Sequence, residues 1–148
     1  MKNKSKAKRF LVIIVISFVV YNIFWISWRS IKYKSYTKDF EEFQKGVSYI
    51  KTCDGYDCNV KYPDYLMYTG NLGISSPDHK TSLVIWPQIT GKYKIGVQIN
   101  REGEIYSINL NELSKPEDPY FNDIVIENKE IINDLKEKAE DVWSINFE

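Results

Sequence analysis

Nineteen consecutive residues, Phe10 to Trp28, carry no charge, and thirteen of them are Phe, Leu, Val or Ile. As a helix such a run is about 28 Å long, close to the roughly 30 Å of a bilayer's hydrocarbon core. Its apolar side chains contribute on the order of −6 kcal/mol to insertion, which Asn22 and two serines do not reverse. Beyond it the apolar positions Tyr33, Tyr36, Phe40, Phe43, Val47 and Ile50 recur at spacings of three and four. That is a helical stripe, and it predicts that the helix continues past the membrane to about Gly46.

From Pro63 the period changes to two. Tyr93, Ile95, Val97 and Ile99 alternate with Lys94, Gly96, Gln98 and Asn100, the pattern of a half-buried antiparallel strand. The stretch Asn100-Arg101-Glu102-Gly103 turns the chain, and Glu104 to Leu110 forms the partner strand. Ser82 to Trp86 reads as a central strand stopped by Pro87, and Tyr65 to Leu72 as another, broken by glycines. Ser114 to Pro119 is a linker. A helix follows from Asn128, a good N-cap, to about Ile145, with Ile131, Ile132, Leu135, Ala139 and Val142 on one face. The expectation is an α+β fold: an N-terminal transmembrane helix, then an antiparallel meander of four or five strands with a C-terminal helix packed on one face. The segments are a basic cytoplasmic tail (1–9), an anchor (10–28), a juxtamembrane helix (29–50) and an extracytoplasmic domain (51–148).

A cleaved signal peptide would end in a small-x-small site after a shorter apolar core. Here the end reads Ile23-Phe24-Trp25-Ile26-Ser27-Trp28, so the anchor is expected to stay attached. Five basic residues precede the span and four follow it. This weak positive-inside bias, with the shortness of the tail, places the amino terminus in the cytoplasm.

Charge sharpens the picture. The chain is neutral overall, yet residues 1 to 38 hold nine basic residues and no acid, leaving eleven basic against twenty acidic residues thereafter. A domain with a net charge of about −9 repels nucleic acid and anionic lipid. Ala is scarce while Ile, Lys, Asn and Tyr abound, as in proteins of AT-rich bacteria. Cys53 and Cys58 bracket a glycine and are expected to close a small disulfide ring outside the cytoplasm, free thiols being the alternative. A metal site would need further ligands, and no cofactor motif occurs.

Candidate chemistry is sparse. The one histidine, His79, lies beside Asp78 in a loop, and no nucleophile elbow, phosphate loop or metalloprotease motif is present. An enzyme is not expected. Type IV pilins share the outline of an apolar amino-terminal helix, a sheet and a disulfide loop. Their conserved early glutamate has no counterpart here, because no acid lies between Met1 and Lys38. The basic start, the Phe10 to Trp28 anchor and the acidic carboxy-terminal half resemble, in organisation alone, membrane-tethered bacterial immunity proteins. That resemblance implies a small non-catalytic domain that neutralises an antibacterial toxin. A structural or accessory subunit of an envelope or secretion assembly is the alternative, and a sensor module a third. Two surfaces are candidates for the partner. One is the stripe Glu130, Asp134, Glu137 and Asp141, spaced 4, 3 and 4 on the last helix, suited to a basic protein. The other is Trp86, expected among Lys94, Gln98, Ser107 and Asn109 on an open sheet face.

Overall fold

The computed structural model describes residues 2–147 and divides into two units, Met1–Lys34 and Ser35–Glu148. The first is a single helix, α1 (Lys2–Lys34). Its stretch Lys6–Lys34 is the one helix among the described residues with the length and apolarity to cross a membrane. Apolar side chains from Phe10 to Phe24 point outward, as suits lipid rather than water. The Asn22 amide is satisfied inside the helix, donating to the Phe18 carbonyl at 2.7 Å. Near its end Arg29 lies over the Trp25 ring and Lys32 over Trp28, at 5.4 and 5.1 Å. These cation–aromatic pairs sit where a membrane-interface belt belongs.

The second unit is α+β. Its sheet has seven strands rather than four or five: β1 (Glu41–Gln44), β2 (Ser48–Cys53), β3 (Tyr56–Lys61), β4 (Asn71–Ser75), β5 (Thr81–Pro87), β6 (Tyr93–Arg101) and β7 (Glu104–Leu110). Every pairing is antiparallel and the spatial order is the chain order. After β7 come a 3-10 turn (Pro119–Phe121), α2 (Asn122–Glu127) and α3 (Lys129–Trp143). α3 packs across β4 and β5.

Of the juxtamembrane helix expected over 29–50 only 29–34 is helical, as the end of α1; β1 and the start of β2 take the rest. α1 stops at Lys34, and Asp39 (φ 62°) and Gly46 (φ 64°) take left-handed conformations that a continuous helix forbids. The spacing of three and four that mimicked a helix belongs to short strands joined by tight turns. Between β2 and β3, Asp54 and Gly55 both have positive φ, at 51° and 86°. That is the two-residue turn matched to the twist of a hairpin.

Two further boundaries moved. Asn128 does not cap α3 with its side chain; its Nδ2 donates to the Ile124 carbonyl at 2.8 Å and so closes α2. α3 ends at Trp143, not Ile145, because Ser144 turns left-handed (φ 51°).

The core lies between one sheet face and the helices. Val60, Leu72, Ile74, Leu83, Ile85, Val97 and Ile108 meet Val125, Ile132, Leu135, Ala139 and Trp143, all nearly inaccessible. Each strand residue in that set alternates with a more exposed neighbour, apart from the glycines of β4 and β6.

Candidate functional site

Trp86, Lys94, Gln98, Ser107 and Asn109 share the sheet face opposite the helices. The register brings Trp86 beside Lys94, Gln98 beside Ser107 and Asn109 beside Gly96. Trp86 is partly exposed there, not buried beneath α3. Nor does it project as an anchor. A Cβ on Gly96 would lie 3.0 Å from Trp86 Cζ3, so the indole lies back on the sheet in the space the glycine leaves. Val84 sits between Gly96 and Gly73 on the two flanking strands, and the Asn59 side chain occupies the space over Gly73. Glycine inside a strand pattern signals such close approach, the mark in the sequence of an indole that lies flat instead of projecting.

The second candidate surface is the outer side of α3. Glu130, Glu137 and Asp141 are exposed, whereas Asp134 is half-buried. Asp134 accepts a hydrogen bond from the Tyr56 hydroxyl at 2.5 Å, and that bond, with burial and the carboxylate's charge, raises the phenol's pKa. Lys138 turns to the same hairpin tip, 3.4 Å from Asp54 and over the Tyr56 ring at 5.7 Å. Lys136 turns to the other flank, donating to Ser114 at 2.9 Å and lying over Phe147 at 5.3 Å. The expected stripe of four is therefore three outward carboxylates and one structural one. The Tyr56–Asp134 contact spans 78 residues of chain, and no local pattern announces it.

Cys53 and Cys58 are free thiols, which corrects the expected disulfide. The hairpin register explains why. Cys53 faces Tyr56 and Cys58 faces Lys51, so the cysteines are diagonal neighbours. Diagonal Cα atoms are typically about 7–8 Å apart, beyond the usual disulfide span. Burial first, then the neighbouring Cys53, pushes the pKa of Cys58 up to about 12. A thiol held protonated in this way is a poor nucleophile.

His79 lies exposed in the β4–β5 turn, with Nδ1 3.7 Å from an Asp57 carboxylate. Asp78 beside it caps the turn: hydrogen bonds from the Ser76 hydroxyl and the Lys80 amide hold its pKa below the usual carboxylate range. This is turn architecture. Among the described residues no three His, Cys, Asp or Glu side chains gather closely enough to hold a metal ion.

Two clefts open in the domain. One, of about 500 Å³, lies between the β4–β5 turn, the end of β6 and the α2–α3 junction. Of its charged walls, Arg101 pairs with Glu127 at 3.3 Å and Asp78 is held within its turn. The other, of about 730 Å³, lies between the β5–β6 turn, the end of β7 and Phe147. Lys92 bridges to Glu112 at 3.4 Å there.

No family model matches the sequence, and comparison with the curated proteins and with the solved structures gives no match either.

Proposed function

We propose that this chain is a single-pass protein of a bacterial cell membrane whose extracytoplasmic domain binds a basic protein, and that it serves as an immunity protein neutralising an antibacterial toxin. The observation that carries the reading is the unpaired acidity of α3's outer side. From Glu117 to the end the chain has ten acids and three lysines. Two of those lysines, Lys136 and Lys138, are drawn down to the flanks. Glu130, Glu137 and Asp141 are left facing solvent. Like charges on one helix stripe cost stability, about 0.2–0.5 kcal/mol for each pair four apart. Carboxylates so placed speed the capture of a cationic partner.

The test is genetic and then kinetic. A product of an adjacent gene, directed to the compartment this domain occupies, should arrest growth, and co-expression of this chain should restore it. The purified pair should associate at least tenfold more slowly once Glu130→Gln, Glu137→Gln and Asp141→Asn are combined, with the parent rate falling steeply as salt rises. If no neighbouring product is toxic and the chain instead co-purifies with membrane proteins of one assembly, the envelope-subunit alternative replaces this reading.

A further inference from the structure

The two edges of the sheet are protected unequally. β1 is four residues long, carries Glu41 and Glu42, and is irregular between Glu42 and Gln44. Shortness, charge and a bulge are the usual defences of an edge. β7 is seven residues long, and only its far half is covered. Leu110 bridges to Pro116, and the Glu117 amide donates to the Asn109 carbonyl at 2.9 Å. Nothing among the described residues pairs with the outer side of its near half.

The register shows which backbone groups that half presents. Glu102 and Gly103, with φ of 55° and 87°, form a two-residue turn, so Arg101 and Glu104 close the hairpin as a hydrogen-bonded pair. Alternation along an antiparallel ladder then makes Asn100↔Ile105 and Gln98↔Ser107 non-hydrogen-bonded pairs. The N–H and C=O groups of Ile105 and Ser107 therefore point away from β6. The outward Asn109 carbonyl, taken by Glu117, follows the same parity. Ile105 is 68% exposed, and Tyr120 and Ile126 nearby in sequence to the covering segment are 79% and 68% exposed. Tyr120 stacks edge-on against Phe121, which in turn meets Tyr106 of the same edge.

We propose that the open half of β7 is a docking edge for an extended, basic segment of another protein, which adds as an eighth strand. Charge selects the occupant. Between Glu102 and Glu127 the chain carries seven acids and one lysine. Glu112 and Glu127 are engaged by Lys92 and Arg101, while Glu102, Glu104, Glu117, Asp118 and Asp123 have no ion pair among the described residues and are exposed. A second copy pairing edge to edge would bring two such acidic rims together, which opposes self-association. A strand with lysine or arginine at alternate positions neutralises the rim, while its backbone completes the bonds of Ile105 and Ser107. This edge is separate from the outer side of α3, and its test does not depend on Glu130, Glu137 or Asp141.

The experiment uses the full chain in detergent micelles and a labelled ten-residue peptide of alternating lysine and valine. Its alternating glutamate–valine counterpart and a copy N-methylated at alternate residues are the controls. The lysine–valine peptide should bind, and both controls should bind at least tenfold more weakly. Ser107→Pro removes an outward N–H without touching the β6 ladder. It should keep the parent's circular dichroism and melting temperature and lose at least tenfold in peptide affinity. Should that variant fold poorly, Ile105→Lys leaves the backbone intact and should give the same loss. Equal binding by parent and both variants, or equal binding of the N-methylated peptide, would show bulk charge attraction and overturn the proposal. Absence of lysine–valine binding would overturn it too, as would self-association of the parent that Ser107→Pro abolishes.

Discussion

Gly70 leaves no room for a side chain: a Cβ would lie 2.0 Å from the Lys61 carbonyl oxygen and 2.9 Å from the Pro63 nitrogen. Both obstacles are backbone and cannot swing aside. Gly70→Ala should therefore cost at least the 1–3 kcal/mol typical of overpacking, measured as a drop in denaturation midpoint. The cysteines give a second expectation at this scale. Cys53 is half-buried and Cys58 buried, so brief alkylation of the native protein should label Cys53 first, as peptide mass spectrometry would read directly. Cys58 also bears on alkaline stability. Its pKa is raised in the fold to about 12 from 9.0, so its stabilising contribution is complete below pH 9 and is lost as pH climbs towards 12. Across that window the parent's melting temperature should fall more steeply than that of a Cys58→Ala variant. The opposite ranking, or parallel curves, would mean that the thiol is not held protonated.

At the scale of elements, the four acids of α3 should separate experimentally. Asp134→Asn or Tyr56→Phe removes a hydrogen bond between the helix and the β2–β3 hairpin and should lower the denaturation midpoint. Glu137→Gln, at an exposed position on the outer side of the helix, should leave stability unchanged or slightly higher. Chemical denaturation of the three variants decides it, and equal effects would return Asp134 to the outward stripe. The same element shows what the residues themselves disclosed. Its apolar face was legible because Ile132, Leu135 and Ala139 recur at helical spacing and all three are buried. β6 and β7 were legible from their alternation, and β5 from a short apolar run stopped by Pro87. β1 and β2 were not, since all four β1 residues are exposed and burial leaves no pattern where there is none. β3 was legible in principle: Asp54-Gly55 followed by Tyr56, Cys58 and Val60 is a turn signal before an alternating run. As for the candidate surfaces, the polar positions around Trp86 followed from parity alone. The clasp on Asp134 and the open edge at Ile105 depend on contacts and pairings distant in sequence.

For the whole molecule, the decisive expectation is topological. The chain should remain in the membrane fraction through high salt and alkaline carbonate and be released by detergent, and a reporter fused after Glu148 should be active only outside the cytoplasm. A mature form soluble without detergent would identify α1 as a cleaved leader instead. A reporter active in the cytoplasm would reverse the orientation and remove extracellular toxins as partners.

The order of the sheet has a consequence in time. Because each strand lies beside its predecessor in the chain, a polypeptide that emerges amino end first can add every strand to a neighbour already present. None has to wait for a distant partner, and the loops to be closed stay short. The unfinished sheet always ends in a fresh edge, a sticky intermediate that the next strand covers. β7 is the last to arrive and keeps the near half of that edge, while α3, reaching back over β4 and β5, must follow all seven. Assembly thus proceeds like a zip, with the final helix as the clasp that locks it.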